Sequence, residues 1–204
     1  MIVSERRADL AIQSAGLVAA TGGTLLLVRL AGNRAEPAAV VACAIYGAGL
    51  IAMFACSLFN AKASTRHKGF AQLLDHCVIY FLIAATYTPF CLLMVGGTEG
   101  TVMLWLVWVL ALAGIALRLA HRARRVGILL YVLLGWVALL RIDVVIARLP
   151  AMGLALLALG GVIYTLGAPL HRLSRLPYHD ALWHGSVATA AGCHFAAIAV
   201  WLVA

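Results

Sequence analysis

Apolar residues fill most of this chain in seven long stretches, which charged, Gly or Pro residues separate from one another. A bilayer core of roughly 30 Å is crossed by about 20 apolar residues in a helix, and each stretch is close to that length. The stretches lack the alternation of a membrane β-strand, so only helices satisfy their backbone groups in lipid. The pattern predicts an all-α bundle of seven transmembrane helices near residues 9–30, 38–59, 70–95, 101–117, 126–147, 150–169 and 181–203.

The fifth stretch is the least regular of the seven. Arg141 and Asp143 fall near its end, and the charge-free part runs only from Val126 to Leu140. Long cationic side chains near a helix end reach back to the interface, where the charge stays solvated. We therefore expect these two residues to be interfacial, with a buried ion pair as the alternative.

The composition agrees with a protein that is dissolved in lipid. Apolar residues make up 65% of the 204 positions and charged residues 11%, and the mean hydropathy is +1.04. These values lie outside the range of soluble domains. The charged start leads into a stretch that is longer than the core of a signal peptide, so we expect it to remain as a span. Short connections predict a single domain over residues 1–204.

The distribution of cations predicts the orientation. Eleven of the fifteen Lys and Arg residues fall on one side of the membrane if the N-terminus is cytoplasmic, and the C-terminus is then periplasmic. We expect a multi-pass protein of the bacterial inner membrane, with membrane lipids as partners and anionic headgroups near its loops. The basic residues are split among short loops without aromatic residues for stacking, which argues against nucleic acid. The sequence does not indicate an oligomeric state. The eleven Lys and Arg residues on the cytoplasmic side are Arg6, Arg7, Lys62, Arg66, Lys68, Arg118, Arg122, Arg124, Arg125, Arg172 and Arg175.

Polar residues that are costly near hydrocarbon meet at one predicted membrane level. Asn60 ends the second span, Asp75 opens the third, and Asp180 and His184 open the seventh. Asp180 and His184 are four residues apart, which places them on one helix face, one turn apart. Such a pair is able to hold one ion.

Several segments resemble the hemolysin III family, the bacterial branch of the progestin and adipoQ receptor group that includes the adiponectin receptors. The most specific is LDHCVIYFLIAATYTPF at Leu74–Phe90, which is similar to the third span of that family. Further support comes from Leu134–Trp136, Gly160–Gly167, Leu176–Tyr178 and Ala181–His184. The resemblance covers nearly the whole chain and implies the same seven spans with a cytoplasmic N-terminus.

The resemblance also implies a buried metal site, from which this chain departs. The family holds zinc with a histidine at the end of the second span and two histidines on the seventh, while an aspartate on the third holds the metal-bound water. Here Asn60 and Asp180 stand at two of the histidine positions, and Cys56 stands at a serine of the second-span motif. His184 and Asp75 are retained.

The altered ligands leave several alternatives open. Carboxylate oxygen binds zinc, whereas a neutral amide oxygen suits harder ions, so Asn60, Asp180 and His184 predict weaker zinc, another divalent ion or no ion. Cys56 is either a soft fourth ligand or a packing residue. Without an ion, Asp75, Asp180 and His184 would form a hydrogen-bonded cluster that handles protons. His76 and His194 are expected to be packing residues.

The function that the resemblance implies is a metal-dependent lipid amide hydrolase of the ceramidase type. In that hypothesis Asp75 is the catalytic residue that orients the water, the ion activates the water, and His184 anchors the ion. The substrate would be a lipid that enters from the bilayer. The alternative is a non-enzymatic lipid sensor or membrane-homeostasis protein with a degenerate metal site.

Overall fold

A computed structural model describes residues 3–34, 36–120, 127–173 and 175–203, and the side chains of residues 171 and 172 are not among those described. In this part of the chain the elements are helical throughout, with no strand. In chain order they are α1 (Val3–Gly32), α2 (Pro37–Lys62), α3 (Lys68–Pro89) with a π-helical continuation (Phe90–Val95), α4 (Gly97–Leu119), α5 (Gly127–Gly135), a 3-10 turn (Val137–Arg141), α6 (Ile142–Arg148), α7 (Ala151–Gly167) with a 3-10 continuation (Ala168–Arg172), and α8 (His179–Val203).

These elements form the seven spans that hydropathy predicts. The described residues contain seven helical segments long and apolar enough to cross a membrane, and the fifth of them combines α5, the 3-10 turn and α6. The all-α prediction is thus confirmed, although the fourth span begins four residues earlier than expected. The orientation in the membrane remains a prediction. The loop cations Arg122, Arg124 and Arg125 lie outside the described residues.

The helices pack in a ring in which α1 contacts both α2 and α8, α2 contacts α3, α3 contacts α4, and α7 contacts α8. Side-chain hydrogen bonds connect the ends of neighbouring helices that lie at the same end of the bundle. Arg6 at the start of α1 donates to the carbonyl of Ala61 at the end of α2, and Arg34 beyond α1 donates to the carbonyl of Trp201 near the end of α8. We call the end of the bundle where α1 starts its N-terminal end. Alternation of the spans places the starts of α3, α5 and α8 there too.

Small residues let α2 approach its neighbours closely. A Cβ atom added to Gly49 would lie 2.7 Å from the Cβ of Ala85 on α3 and 3.5 Å from the backbone Cα of Leu82. Real Cβ atoms do not come so close to a methyl group, so the two helices could not keep this separation with alanine at position 49. Small residues at helix contacts are the usual means of close packing in membranes.

The fifth span is not the continuous helix that the sequence predicts. After Gly135 the helix changes to a 3-10 turn, and α6 begins only at Ile142. A side chain of α3 compensates the break, because the Tyr87 hydroxyl donates to the Gly135 carbonyl at 2.7 Å and accepts from the Ala138 amide at 3.0 Å. Irregular backbone is stable at membrane depth only where protein groups supply such partners.

Exposed charges surround the far end of this broken span. The Arg141 guanidinium lies 2.7 Å from Glu99 at the start of α4 and 3.4 Å from Asp143, and all three side chains are more than two-fifths exposed. Exposed ion pairs contribute little to stability. This end of the bundle therefore carries a solvated charge network, well away from Asp75 and His184 along the helices.

Candidate functional site

Asp75 is held between α2 and α3. Its side chain is buried, and both of its carboxylate oxygens accept hydrogen bonds, Oδ1 from the Ser57 hydroxyl at 2.5 Å and Oδ2 from the Asn60 amide at 3.0 Å. Ser57 and Asn60 are three residues apart on α2, so they share a helix face one turn apart. We call Asp75, Ser57 and Asn60 the Asp75 group. It joins two of the predicted site residues directly, Asn60 and Asp75.

The Asn60 side chain has one unused oxygen. Its Oδ1 atom is buried without a hydrogen-bond partner among the described residues, while Lys68 donates to its backbone carbonyl at 2.6 Å. An amide oxygen left unpaired in a protein interior costs roughly 1–3 kcal/mol. Such an oxygen is an ordinary ligand for hard cations, so an ion bound in the Asp75 group would also satisfy this atom.

His184 belongs to a second group, which it forms with α1 instead of with Asp180. The His184 Nδ1 atom lies 2.6 Å from Asp9 Oδ1, and Gln13 Nε2 donates to Asp9 Oδ2 at 2.8 Å. All three side chains are buried. Because the carboxylate only accepts hydrogen bonds, Nδ1 carries the proton and donates it to Asp9. We call these residues the His184 group.

Asp180 lies outside this group. Its side chain is 33% exposed, and its Oδ1 atom is 3.6 Å from Nε2 of the preceding His179. Asp180 and His184 share a helix face as predicted, yet the carboxylate that His184 contacts comes from the first span. Cys56 is half-buried on α2, one turn before Asn60.

The donor atoms fit a zinc ion only in part. A histidine that donates one ring N–H to a carboxylate, as His184 does to Asp9, is the arrangement that orients metal-binding imidazoles through the other nitrogen. Zinc however takes four ligands from His, Cys, Asp or Glu. Among the residues that the structure describes, no three such side chains lie close enough together to hold a metal ion. The two groups therefore do not complete a zinc site.

A cavity of about 310 Å³ lies mainly between α3, α5, α7 and α8, and its lining includes His76 and Trp183, which adjoin Asp75 and His184 in the sequence. Its wall is mainly apolar. Ile79, Ile83, Val132 and Val187 are typical of the side chains that line it. Pockets that bind small molecules span roughly 300–1,000 Å³, which places this one at the small end of the range.

One end of the cavity lies at the N-terminal end of the bundle; we call this end its mouth, and a cation lines it. Arg118, in the last turn of α4, lines the cavity together with His76 from the first part of α3. Tyr131 on α5 donates to the His76 carbonyl at 3.1 Å, which holds α5 against α3 at this level. The ion pairs found among the described residues engage Arg141, His179 and His184, so within that part of the chain Arg118 has no carboxylate partner.

The inner end of the cavity lies deeper in the bundle. Tyr87 follows His76 by eleven residues on α3, which corresponds to roughly 16 Å of helix. At that level Trp136, Gly161 and His194 also line the cavity. The His194 ring is buried and donates through Nε2 to the Leu157 carbonyl at 3.2 Å. The cavity therefore extends from the N-terminal end of the bundle toward its middle.

Asp9, Gln13 and Arg118 are not among the site residues that the sequence predicts. Asp9 and Gln13 lie in the first apolar stretch and are four residues apart, so they share a helix face. A carboxylate and an amide on one face of a predicted span are a signal in themselves, because such residues are rare in lipid and turn toward protein. The sequence places Arg118 only among the cations at the loops.

Comparison with known proteins gives consistent matches over most of the chain. The family model described as Haemolysin-III related matches residues 13–195. The hemolysin-3 homolog of Bacillus subtilis is 30% identical over 188 residues, which cover 91% of this chain and 88% of that protein. Hemolysin-3 of Bacillus cereus is 31% identical over 89% of this chain and 84% of its own length. The human monocyte to macrophage differentiation factor is 35% identical over 89% and 78% respectively. No solved structure matches.

Proposed function

The chain belongs to the haemolysin-III-related family, and from this premise we propose that it is a non-enzymatic lipid sensor that binds a single-chain lipid acid in the cavity. The observation that carries the proposal is an apolar cavity with a guanidinium at its mouth that has no acidic partner among the described residues. The two Bacillus relatives favour a bacterial plasma membrane as its location.

The size and lining of the cavity favour one acyl chain. A space of about 310 Å³ that is lined mainly by apolar side chains is small for the two chains of a phospholipid. Each methylene that enters an apolar site from water contributes roughly 0.8 kcal/mol. A chain that fills the cavity along its roughly 16 Å length would therefore gain most of its affinity from burial.

Arg118 selects the head of the ligand. A half-buried guanidinium at the edge of an apolar cavity favours a carboxylate, which it binds through two parallel hydrogen bonds. Since no acidic side chain of the described part occupies this position, a lipid carboxylate would supply the missing charge.

The polar groups support a structural role more than a catalytic one. Each carboxylate oxygen of Asp75 accepts a hydrogen bond from α2, and the Nδ1 atom of His184 donates to Asp9. These contacts link α2 to α3 and α1 to α8. In this proposal they hold the helices that surround the cavity, and a bound lipid is reported through a change in helix packing.

A metal-dependent lipid amide hydrolase is the second candidate. Two observations favour it, the unpartnered Asn60 Oδ1 atom and the carboxylate that orients the His184 ring. In that case Asn60 and His184 would hold the ion, Asp180 would have to turn inward to join them, and Asp75 would orient a water molecule.

Binding of fatty acids to the purified protein tests the main proposal. Displacement of a fluorescent fatty acid in detergent should give a dissociation constant that Arg118→Gln weakens roughly tenfold, the loss expected for a hydrogen bond to a charged group. Ile83→Trp should weaken binding at least as much, because the indole fills the cavity. Arg148→Gln is the matched control, since Arg148 is an exposed cation at the opposite end of the bundle. Equal affinities in the wild type and all three variants would contradict the proposal.

A separate assay distinguishes the hydrolase. Ceramides and phospholipids are incubated with the wild type and with Asp75→Asn, with and without added zinc, and released fatty acid is measured. Metal-dependent release of fatty acid by the wild type alone would contradict the sensor proposal and support the hydrolase. The metal content of protein purified without added metal provides an independent answer to the same question.

A further inference from the structure

Trp136 crosses the space between the fifth and sixth spans. It follows Gly135, the last residue of α5, and its indole reaches α7, where the Nε1 atom donates to the Thr165 hydroxyl at 2.9 Å. Thr165 in turn donates to the Gly161 carbonyl at 2.7 Å. The indole is thus fixed at both ends, by the α5 backbone and by α7.

The six-membered ring of Trp136 rests on the backbone of Gly161. A Cβ atom added at position 161 would lie 3.4 Å and 3.5 Å from two ring carbons of the indole. The ring therefore packs against α7 at Gly161 at ordinary van der Waals distance. An indole N–H group that is shielded from water usually has a partner, and Thr165 supplies it for the half-buried Trp136 while the ring stays in the cavity wall.

This position is the inner end of the cavity. Trp136 follows Gly127 by nine residues, and Gly127 lines the cavity near its mouth, which gives a depth of roughly 14 Å along the fifth span. The Gly135 carbonyl accepts a hydrogen bond from Tyr87. The break in the fifth span therefore lies at the same depth as Tyr87, the α3 residue at the inner end of the cavity. A chain that enters beside Arg118 would meet the indole after this distance.

We propose that Trp136, held by Thr165, sets the length of the acyl chain that the cavity accepts. The inference rests on the proposed function, because it names a specificity determinant of the same cavity. The ligand class is a saturated single-chain carboxylic acid. Its preferred length is the one whose terminal methyl group reaches the indole.

Chain-length profiles of three variants test this assignment. Dissociation constants are measured for saturated fatty acids of 10 to 20 carbons with the wild type, Trp136→Leu, Thr165→Val and Trp105→Leu. Trp136→Leu opens the inner end, so the preferred length should increase. Affinity should rise roughly fourfold for each additional methylene that becomes buried. Trp105→Leu is the matched control, because the Trp105 side chain is 68% exposed on α4 and lines no described cavity.

Thr165→Val keeps the indole and nearly keeps the shape of residue 165. It therefore tests the same inference even if Trp136→Leu does not fold. It removes the acceptor of the Trp136 N–H group, which frees the ring to swing. The profile should then broaden toward longer acids while the affinity for short acids stays unchanged.

The outcomes separate this inference from the proposed function. Binding by the wild type with a preferred length that neither Trp136→Leu nor Thr165→Val changes would overturn the role of Trp136 and leave the lipid sensor intact. Absence of fatty-acid binding by the wild type would overturn both. A shift of the same size in Trp105→Leu would show that the change is not local to the cavity, and would also overturn the inference.

Discussion

Replacement of Asp9 by alanine is expected to destabilise the folded bundle by about 2–4 kcal/mol. Asp9 accepts one hydrogen bond from His184 on α8 and one from Gln13 on its own helix, and its side chain is only 3% exposed. Polar contacts between membrane helices contribute on average about 0.6 kcal/mol and reach about 1.7 kcal/mol. Most of the expected loss therefore comes from the buried polar groups that the substitution leaves unsatisfied, which costs roughly 1–3 kcal/mol.

Asp180→Ala is the matched control for this prediction. It removes a side chain of the same type at the same end of the bundle. The Asp180 side chain, however, is one-third exposed, and its carboxylate lies 3.6 Å from the His179 ring. Surface substitutions of this kind change stability by about 0.5 kcal/mol or less. Unfolding of both variants is followed in mixed micelles with increasing denaturing detergent, using tryptophan fluorescence. Trp183 lies next to His184 in the sequence and reports on this region.

A double-mutant cycle assigns the loss to the contact itself. Asp9→Ala combined with His184→Ala should be less destabilised than the sum of the two single variants by about 0.6–1.7 kcal/mol. Strict additivity would mean that the two side chains do not interact in the folded protein. If Asp9→Ala is no less stable than Asp180→Ala, then Asp9 is not buried against His184 and the reasoning fails.

Three further predictions concern other parts of the bundle. Asp75→Asn should lower stability by about 1–2 kcal/mol in the same unfolding assay, because the new NH₂ group faces a donor. Gly49→Ala should lower the stability of the folded protein by about 1–3 kcal/mol, since the new Cβ would collide with a methyl group on α3. Gly192→Ala is its control and should be neutral or slightly stabilising, because open space surrounds position 192. A reporter fused after Arg124 should be cytoplasmic and one fused after Ala204 periplasmic; a cytoplasmic signal from the second fusion would contradict the predicted orientation.

Hydropathy predicted the spans well because lipid imposes one rule on every helix. The sequence also indicated that Asn60 and Asp75 lie at one level, and the structure joins them directly. The proximity of Asn60 and Asp75 follows from local information, since only a short loop separates the end of α2 from the start of α3. The connection between α2 and α3 leaves these two residues little freedom to lie elsewhere.

The partner of His184 could not be found in the same way. Spacing along α8 favours Asp180, and only the packing of the first helix against the last brings Asp9 to the imidazole. That contact joins positions 175 residues apart and depends on how α1 is rotated about its axis. The break in the fifth span has a similar origin, because Gly135 allows a break but Tyr87 on another helix stabilises it.

The hydroxyl of Tyr87 has a consequence for biosynthesis. A span that enters the bilayer from the translocon ordinarily completes its own backbone hydrogen bonds, but the Gly135 carbonyl and the Ala138 amide are satisfied by a residue that is synthesised earlier. An unpaired peptide group in hydrocarbon costs several kcal/mol. The fifth span is therefore expected to leave the translocon only once the third span is available beside it, so that insertion and assembly of these two helices occur as a single step.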